Sequence, residues 1–404
     1  MPGMSGAQGT DQGDDDARFA RTSIVALSIG ACGSAAALRV CDPLLPHFAS
    51  KFGVGLGSAA QTVTAFAIAY GIVQLAYGPI GDRYGKYRVV ILATFGCAIT
   101  SLLCALAPGF VALVLARMLA GATAGALIPL SMAWIGDTVP YERRQAVIAR
   151  FLIGQMFGIA LGQVLGGLGA DYVGAGPVFL TLAAWFAVTA VLMVHFRPPR
   201  HASDMAQARG GIVRRFASVL AVPWARVVLL TVFVEGILLF GALAFVPTHL
   251  HRAFGIPLTL AGAIAMLYGV GGLVYAVLSP ILVRRLGESG LAGGGSVMLA
   301  LCLAAIAFAP VPAVAAVACF AAGLGCYMLH NTLQVNATQM APKERGSSLA
   351  LFAAILFIGQ ASGVTLAGSL AEAIGTGPVL AGAGVLLLGV GLGFAYLRRR
   401  SART

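Results

Sequence analysis

Apolar residues in this chain do not alternate with polar ones at a helical or strand period. They fill long blocks separated by short polar punctuation. Twelve such blocks are predicted to be helices, over 22–45, 59–78, 89–107, 111–135, 146–169, 177–196, 227–250, 258–283, 291–309, 313–335, 349–374 and 378–397. Each approaches the ~20 residues that carry a helix across about 30 Å of hydrocarbon. Backbone polar groups in lipid must be satisfied internally, which leaves helices or a closed barrel. Barrel strands would alternate in polarity, and these blocks do not.

Composition supports this reading. Of 404 residues, 59% are hydrophobic and 10% charged, against about 25% charged in soluble domains. The formal net charge of +12 would suit nucleic acid, but its placement points to a bilayer. With a cytoplasmic N-terminus, 22 of the 26 basic residues fall in cytoplasmic segments. Lys51 and Arg252 lie outside, and Arg39 and Arg117 lie within spans. This bias is the positive-inside pattern of a multi-pass membrane protein with both termini cytoplasmic. Residues 1–20 are polar, acidic and Gly-rich, and read as a disordered cytoplasmic start rather than a signal peptide. The seven cysteines lie in or at the ends of spans with no CxxC spacing, and read as packing residues, not disulfides or metal ligands.

Four landmarks recur at an offset of 201 or 202 residues. Pro46 and the Phe52–Gly53 pair match Pro247 and Phe254–Gly255; Gly85 matches Gly287. "VPYERR" at 139–144 matches "APKERG" at 341–346, and "GADYVGAGPVFL" at 169–180 matches "LAEAIGTGPVL" at 370–380. The chain is therefore divided into a six-helix half (21–196), a basic linker (197–223), a second six-helix half (224–397) and a basic tail (398–404). Parallel repeats of this kind occur in secondary transporters, with the substrate site between them near the bilayer midplane.

The stretch "GPIGDRYGKYR" at 78–88 concentrates charge between two apolar blocks. With Gly78, Asp82, Arg83, Gly85 and Lys86 in place, it resembles motif A of the major facilitator superfamily. "DPLLP" at 42–46 and "RMLAGATAGA" at 117–126 resemble the helix 1 and helix 4 motifs of that superfamily's twelve-helix drug:proton antiporters, with Ala120 where the latter has Gln. Gly154, Gly158, Gly162, Gly166 and Gly167 resemble the helix 5 antiporter motif, with Gln163 in place of its Pro. The resemblance implies an all-α membrane fold of twelve spans in two six-helix pseudo-repeats, resembling bacterial efflux permeases. In motif A, Gly78 and Gly85 are expected to permit a tight turn. Asp82 is expected to latch onto a helix N-terminus in its own half or the other. Arg83, Lys86 and Arg88 are expected to anchor the loop at the anionic leaflet. Arg284 takes the Asp82 position in the second copy.

Ionisable groups inside a span are functional candidates. Glu235 lies nine residues past Arg226, roughly 13 Å deep at ~1.5 Å per residue, and is the leading proton carrier. Its alternative is a neutral packing role. Arg117 needs a buried partner, with Asp42 the first choice, although Arg39 sits three residues before Asp42 and can neutralise it instead. Asp42 and Arg117 complete the proton-coupling set. His330, in the polar run "HNTLQVNATQ", is a side chain of the type whose ordinary pKa lies near neutrality. It joins Tyr70, Gln74, Gln155, Tyr268, Phe357 and Gln360 as the candidate substrate lining; each can equally be helix packing. Asp171 and Glu372, at matching repeat positions, read as solvated caps. The helix 5 glycines are expected to admit another helix closely.

The leading expectation is a monomeric secondary active transporter that exports small organic or drug-like molecules in exchange for protons. It would use the proton gradient, no cofactor and no metal, and bind no nucleic acid. Proton symport or uniport for metabolite uptake is the alternative; a non-transporting sensor is a further one. No HExxH or GxSxG is present, so no enzyme is expected.

Overall fold

A computed structural model describes residues 8–196 and 211–401. Among these, every regular element is helical. Eleven continuous stretches are long and apolar enough to cross a membrane. One of them, Leu258–Ala307, is broken at Gly287 (φ 62°, ψ 176°), so it counts as two crossings and the total is twelve. The spans are α1 (Thr22–Arg39), α2 (Leu56–Tyr84), α3 (Lys86–Ala105), α4 (Phe110–Thr138), α5 (Arg143–Val173), α6 (Ala175–His195) and α7 (Pro223–Phe254). Then come α8 (258–286), α9 (288–307), α10 (Pro312–Gln339), α11 (Pro342–Ile374) and α12 (Thr376–Ser401).

The repeat is visible in the backbone. Six described glycines have positive φ: Gly53, Gly85, Gly174, Gly255, Gly287 and Gly375. They form the pairs 53/255, 85/287 and 174/375, at the offsets of the sequence landmarks. Each half makes its turns at equivalent places, where only glycine tolerates the left-handed side of φ/ψ space. Gly85 (φ 90°) alone turns the chain between α2 and α3. Gly78, expected to share that turn, lies inside the Gln61–Tyr84 helix with open space around it.

Two boundaries of the first span differ from the pattern-based expectation. Helix is present from Gln8, ahead of the expected 22 and within the stretch read as disordered, because a helix already nucleated by a packed span propagates at little cost. The first crossing does not end near Leu45. It breaks after Arg39 and resumes as Leu45–Phe52, with Pro43 in the break and Pro46 opening the second piece. Of the linker, residues 197–210 lie outside the described residues; a short helix, Ile212–Ala221, leads into α7.

Each half has its own core. Phe66, Phe151, Phe179 and Phe186 sit in the first, Leu299, Leu303, Leu333 and Phe394 in the second. All seven cysteines are buried and unpaired with one another. Leu92, Val277, Leu301 and Val385 point outward and are exposed, as lipid-facing positions should be. The glycine stripe of α5 packs on α1 as expected. A Cβ on Gly154, Gly158, Gly162 or Gly166 would run into the backbone of Ser28, Cys32, Ala36 or Val40 in turn. Two helices at spacing four thus touch backbone to backbone over three turns. The halves meet chiefly where α2 packs on α11 and α5 on α8.

Candidate substrate and proton site

α7 runs as a regular helix to Glu235 and then widens into a π-turn, Gly236–Phe240. Such turns often mark functional positions. Gly236 lets α7 lie against α11: a Cβ there would sit 2.5 Å from the Leu356 carbonyl oxygen. This approach buries the Glu235 side chain completely. Its Oε2 is 3.0 Å from His330 Nδ1 on α10, while Oε1 is buried with no hydrogen-bond partner among the described residues. His330 is packed between rings, 6.0 Å from Phe240 and 5.6 Å from Phe352. A carboxyl group in this pocket has one oxygen held by a titratable ring and one oxygen unmatched, a costly state in an apolar interior.

The break in α1 places a second buried carboxylate in the other half. Asp42 is fully buried. Its Oδ2 accepts from Gln163 Nε2 at 3.1 Å and lies 3.5 Å from Arg39 Nη1. The Arg39 guanidinium lies over the Phe240 ring at 5.5 Å. Phe240 therefore packs against Arg39 from the first half and His330 from its own, and lies between the two carboxylate sites across the interface.

Arg117 is not the partner of Asp42 by contact. It is buried, donates from Nε to the Thr62 carbonyl at 3.1 Å and stacks 4.2 Å from the Phe66 ring. A carbonyl and a ring face receive a guanidinium whose charge cannot be removed, while its Nη2 is buried with no hydrogen-bond partner among the described residues. Asp42 meets Arg39 instead because the turn that opens the α1 break, closed by the Asp42 N–H on the Arg39 carbonyl at 3.2 Å, brings the two side chains together.

Asp82 also departs from expectation. Its partner is Lys86, 3.3 Å away, and Lys86 also pairs with Asp137 at the end of α4. The Gly85 turn folds Lys86 back over the end of α2, so the charge of Asp82 is met inside its own half rather than at a helix N-terminus. Arg83 stacks on neighbouring Tyr84.

Among the lining candidates, Tyr70 and Phe357 come together across the halves, with ring centroids 4.5 Å apart. Gln74 and Gln360 are buried, and Gln360 Nε2 has no hydrogen-bond partner among the described residues. Tyr268 faces Cys326, which is within electrostatic reach of both Glu235 and Arg39. Gln155 is half-buried on α5 and no contact ties it to this cluster. Two participants carried little signal in the sequence. Gln163 was visible only as a departure from a proline, and Phe240 is one of 21 phenylalanines.

The model of the Major Facilitator Superfamily matches residues 27–352. The chain is 25% identical over 339 residues to the uncharacterized MFS-type transporter YceJ of Bacillus subtilis (strain 168), an alignment covering 81% of this chain and 84% of that protein. It is 28% identical over 140 residues to the multidrug export protein EmrB of Haemophilus influenzae (strain ATCC 51907 / DSM 11121 / KW20 / Rd), covering 35% of this chain and 28% of that one. Its fold is similar to that of a bacterial homolog of the human lysosomal transporter Spinster in an inward-facing and unoccupied conformation (TM-score 0.77, 16% identity, 95% of this chain and 97% of the other). Twelve crossings in two repeated halves, with a family model spanning both, place the chain in the Major Facilitator Superfamily of membrane transporters.

Proposed function

We propose that the protein is a proton-coupled exporter of small organic molecules working by alternating access, in which Glu235 carries the proton. The observation behind this reading is the Glu235–His330 pair, a buried mid-span carboxylate held by a second titratable side chain. An ionisable pair in that position is expensive, and proton relay is what such pairs in transporters serve. Arg39 and the Glu235–His330 pair beside Phe240 and Phe352 suit amphipathic, drug-like molecules that combine a polar group with an apolar body. Likeness to a multidrug export protein over part of the chain supports the export direction. In this reading the face bearing the 78–88 turn, here the basic face, is cytoplasmic, the membrane is a bacterial-type inner membrane, and the transporter is a monomer.

The test uses purified protein in vesicles with an imposed pH gradient and a panel of organic cations, anions and neutral amphiphiles. Export predicts substrate movement against proton flow, and Glu235→Gln retaining exchange while losing accumulation. Movement of substrate with the protons would reassign the protein as a symporter. Full accumulation by Glu235→Gln would remove Glu235 from the coupling path.

A further inference from the structure

Asp171 and Glu372 lie at the ends of α5 and α11 on the face opposite the basic one. An acid at a helix C-terminus opposes that helix's own dipole, so its placement calls for compensation. Both find it across the interface. Asp171 Oδ1 accepts from the Leu258 N–H at 3.0 Å, and its Oδ2 accepts from the Thr259 N–H and hydroxyl, each at 2.7 Å. These donors open α8, in the other half. Glu372 Oε1 accepts from the Gly57 N–H at 2.7 Å, at the start of α2. The expected solvated caps are therefore inter-half contacts, each acid meeting the positive end of a helix.

The two contacts are copies of one another. Asp171 and Glu372, and Gly57 and Leu258, are each 201 residues apart. So are Gly167 and Gly368, which bring the backbones together. A Cβ on Gly167 would lie 2.6 Å from Thr259 Cα, and one on Gly368 would lie 2.8 Å from Gly57 Cα. Gly55 leaves the space that Glu372 occupies. Thr64 and Thr365 add a hydroxyl contact at 3.1 Å about two turns further in.

We propose that Asp171 and Glu372 are a matched pair of latches that close the transport path on this face, made and broken once per cycle. The pairing is symmetric about the two halves. Opening this face requires the α5–α8 and α2–α11 ends to part, which breaks all four hydrogen bonds together. The inference concerns which face is closed and holds for either direction of transport and any coupling ion.

The test needs neither substrate nor a pH gradient. Ala60 is fully buried beside Gly368, so Ala60→Cys reports opening of this face through its rate of maleimide labelling in purified protein. The same variants without the introduced cysteine supply the background. Loss of hydrogen bonds to a charged group should raise the labelling rate about tenfold for Asp171→Asn or Glu372→Gln, and further for the double variant. Thr259→Val, which removes one donor and keeps the acid, should give a smaller rise. An unchanged rate in both single acid variants, with thermal unfolding showing them folded, overturns the proposal. If either acid variant fails to fold, Thr259→Val decides: a rise supports the latch and no rise overturns it.

Discussion

The two halves each bury one carboxylate near the interface, and they satisfy it differently. In the first half Asp42 faces Arg39 and Gln163. In the second, Glu235 faces His330. Arginine stays protonated in proteins, so the first pair is charge-balanced only while Asp42 is ionised; neutralising Asp42 would strand a buried guanidinium. Histidine and glutamate can both change charge, so the second pair has several neutral or balanced states to move between. The same fold thus provides a fixed charge pair and a variable one, with Phe240 packed against a member of each. In the proposed cycle the first pair holds shape and polarity, and the second registers the proton.

The largest expected effect comes from fixing the variable pair. One proton per substrate across a one-unit pH gradient supports about tenfold accumulation. Glu235→Gln is expected to collapse that ratio to unity in vesicles while leaving substrate exchange intact. Retained accumulation would erase the contrast between the halves.

Unbalancing the fixed pair is the next largest effect, and it is a loss of stability. Removing one member of a buried ion pair costs about 3–5 kcal/mol, so Arg39→Gln should unfold markedly earlier in a thermal scan. Arg39→Gln/Asp42→Asn should recover part of that loss. The same cycle with Arg117→Ala and Asp42→Asn should show a smaller coupling than the Arg39–Asp42 cycle, because Arg117 is held by Thr62 and Phe66 and reaches Asp42 only through space. Strong coupling in the second cycle and none in the first would reverse the assignment of partners.

A smaller effect is expected at Gln163. Its amide donates to Asp42, and a hydrogen bond to a charged group contributes about 1.5–3 kcal/mol. Gln163→Leu should lower the unfolding temperature less than Arg39→Gln and leave accumulation intact. Lost accumulation with unchanged stability would move Gln163, and Asp42 with it, into the proton path.

The sequence made the spans and the repeat readable because both depend on features that survive without coordinates: apolar length, basic asymmetry and glycines at a fixed offset. The depth of Glu235 followed from helical rise alone. Partner choice did not follow, since it depends on which way each helix faces. Arg117 was assigned a carboxylate because only charged residues stand out in a sequence; a carbonyl such as that of Thr62 and a ring such as Phe66 leave no such mark. The block 22–45 read as one continuous helix, but Pro43 and Pro46 mark a break after Arg39 that continues as Leu45–Phe52, with Asp42 buried inside it. Asp171 and Glu372 read as caps because their helix ends were visible and the opposing half was not.

The claim that the variable proton sits in the second half is open to one direct measurement, pH-difference infrared spectroscopy of the buried carboxyl band in purified protein. The account predicts a protonated-carboxyl signal that appears as pH falls, persists in Asp42→Asn and is absent in Glu235→Gln. A signal lost in Asp42→Asn and retained in Glu235→Gln would place the proton beside Arg39 and contradict it.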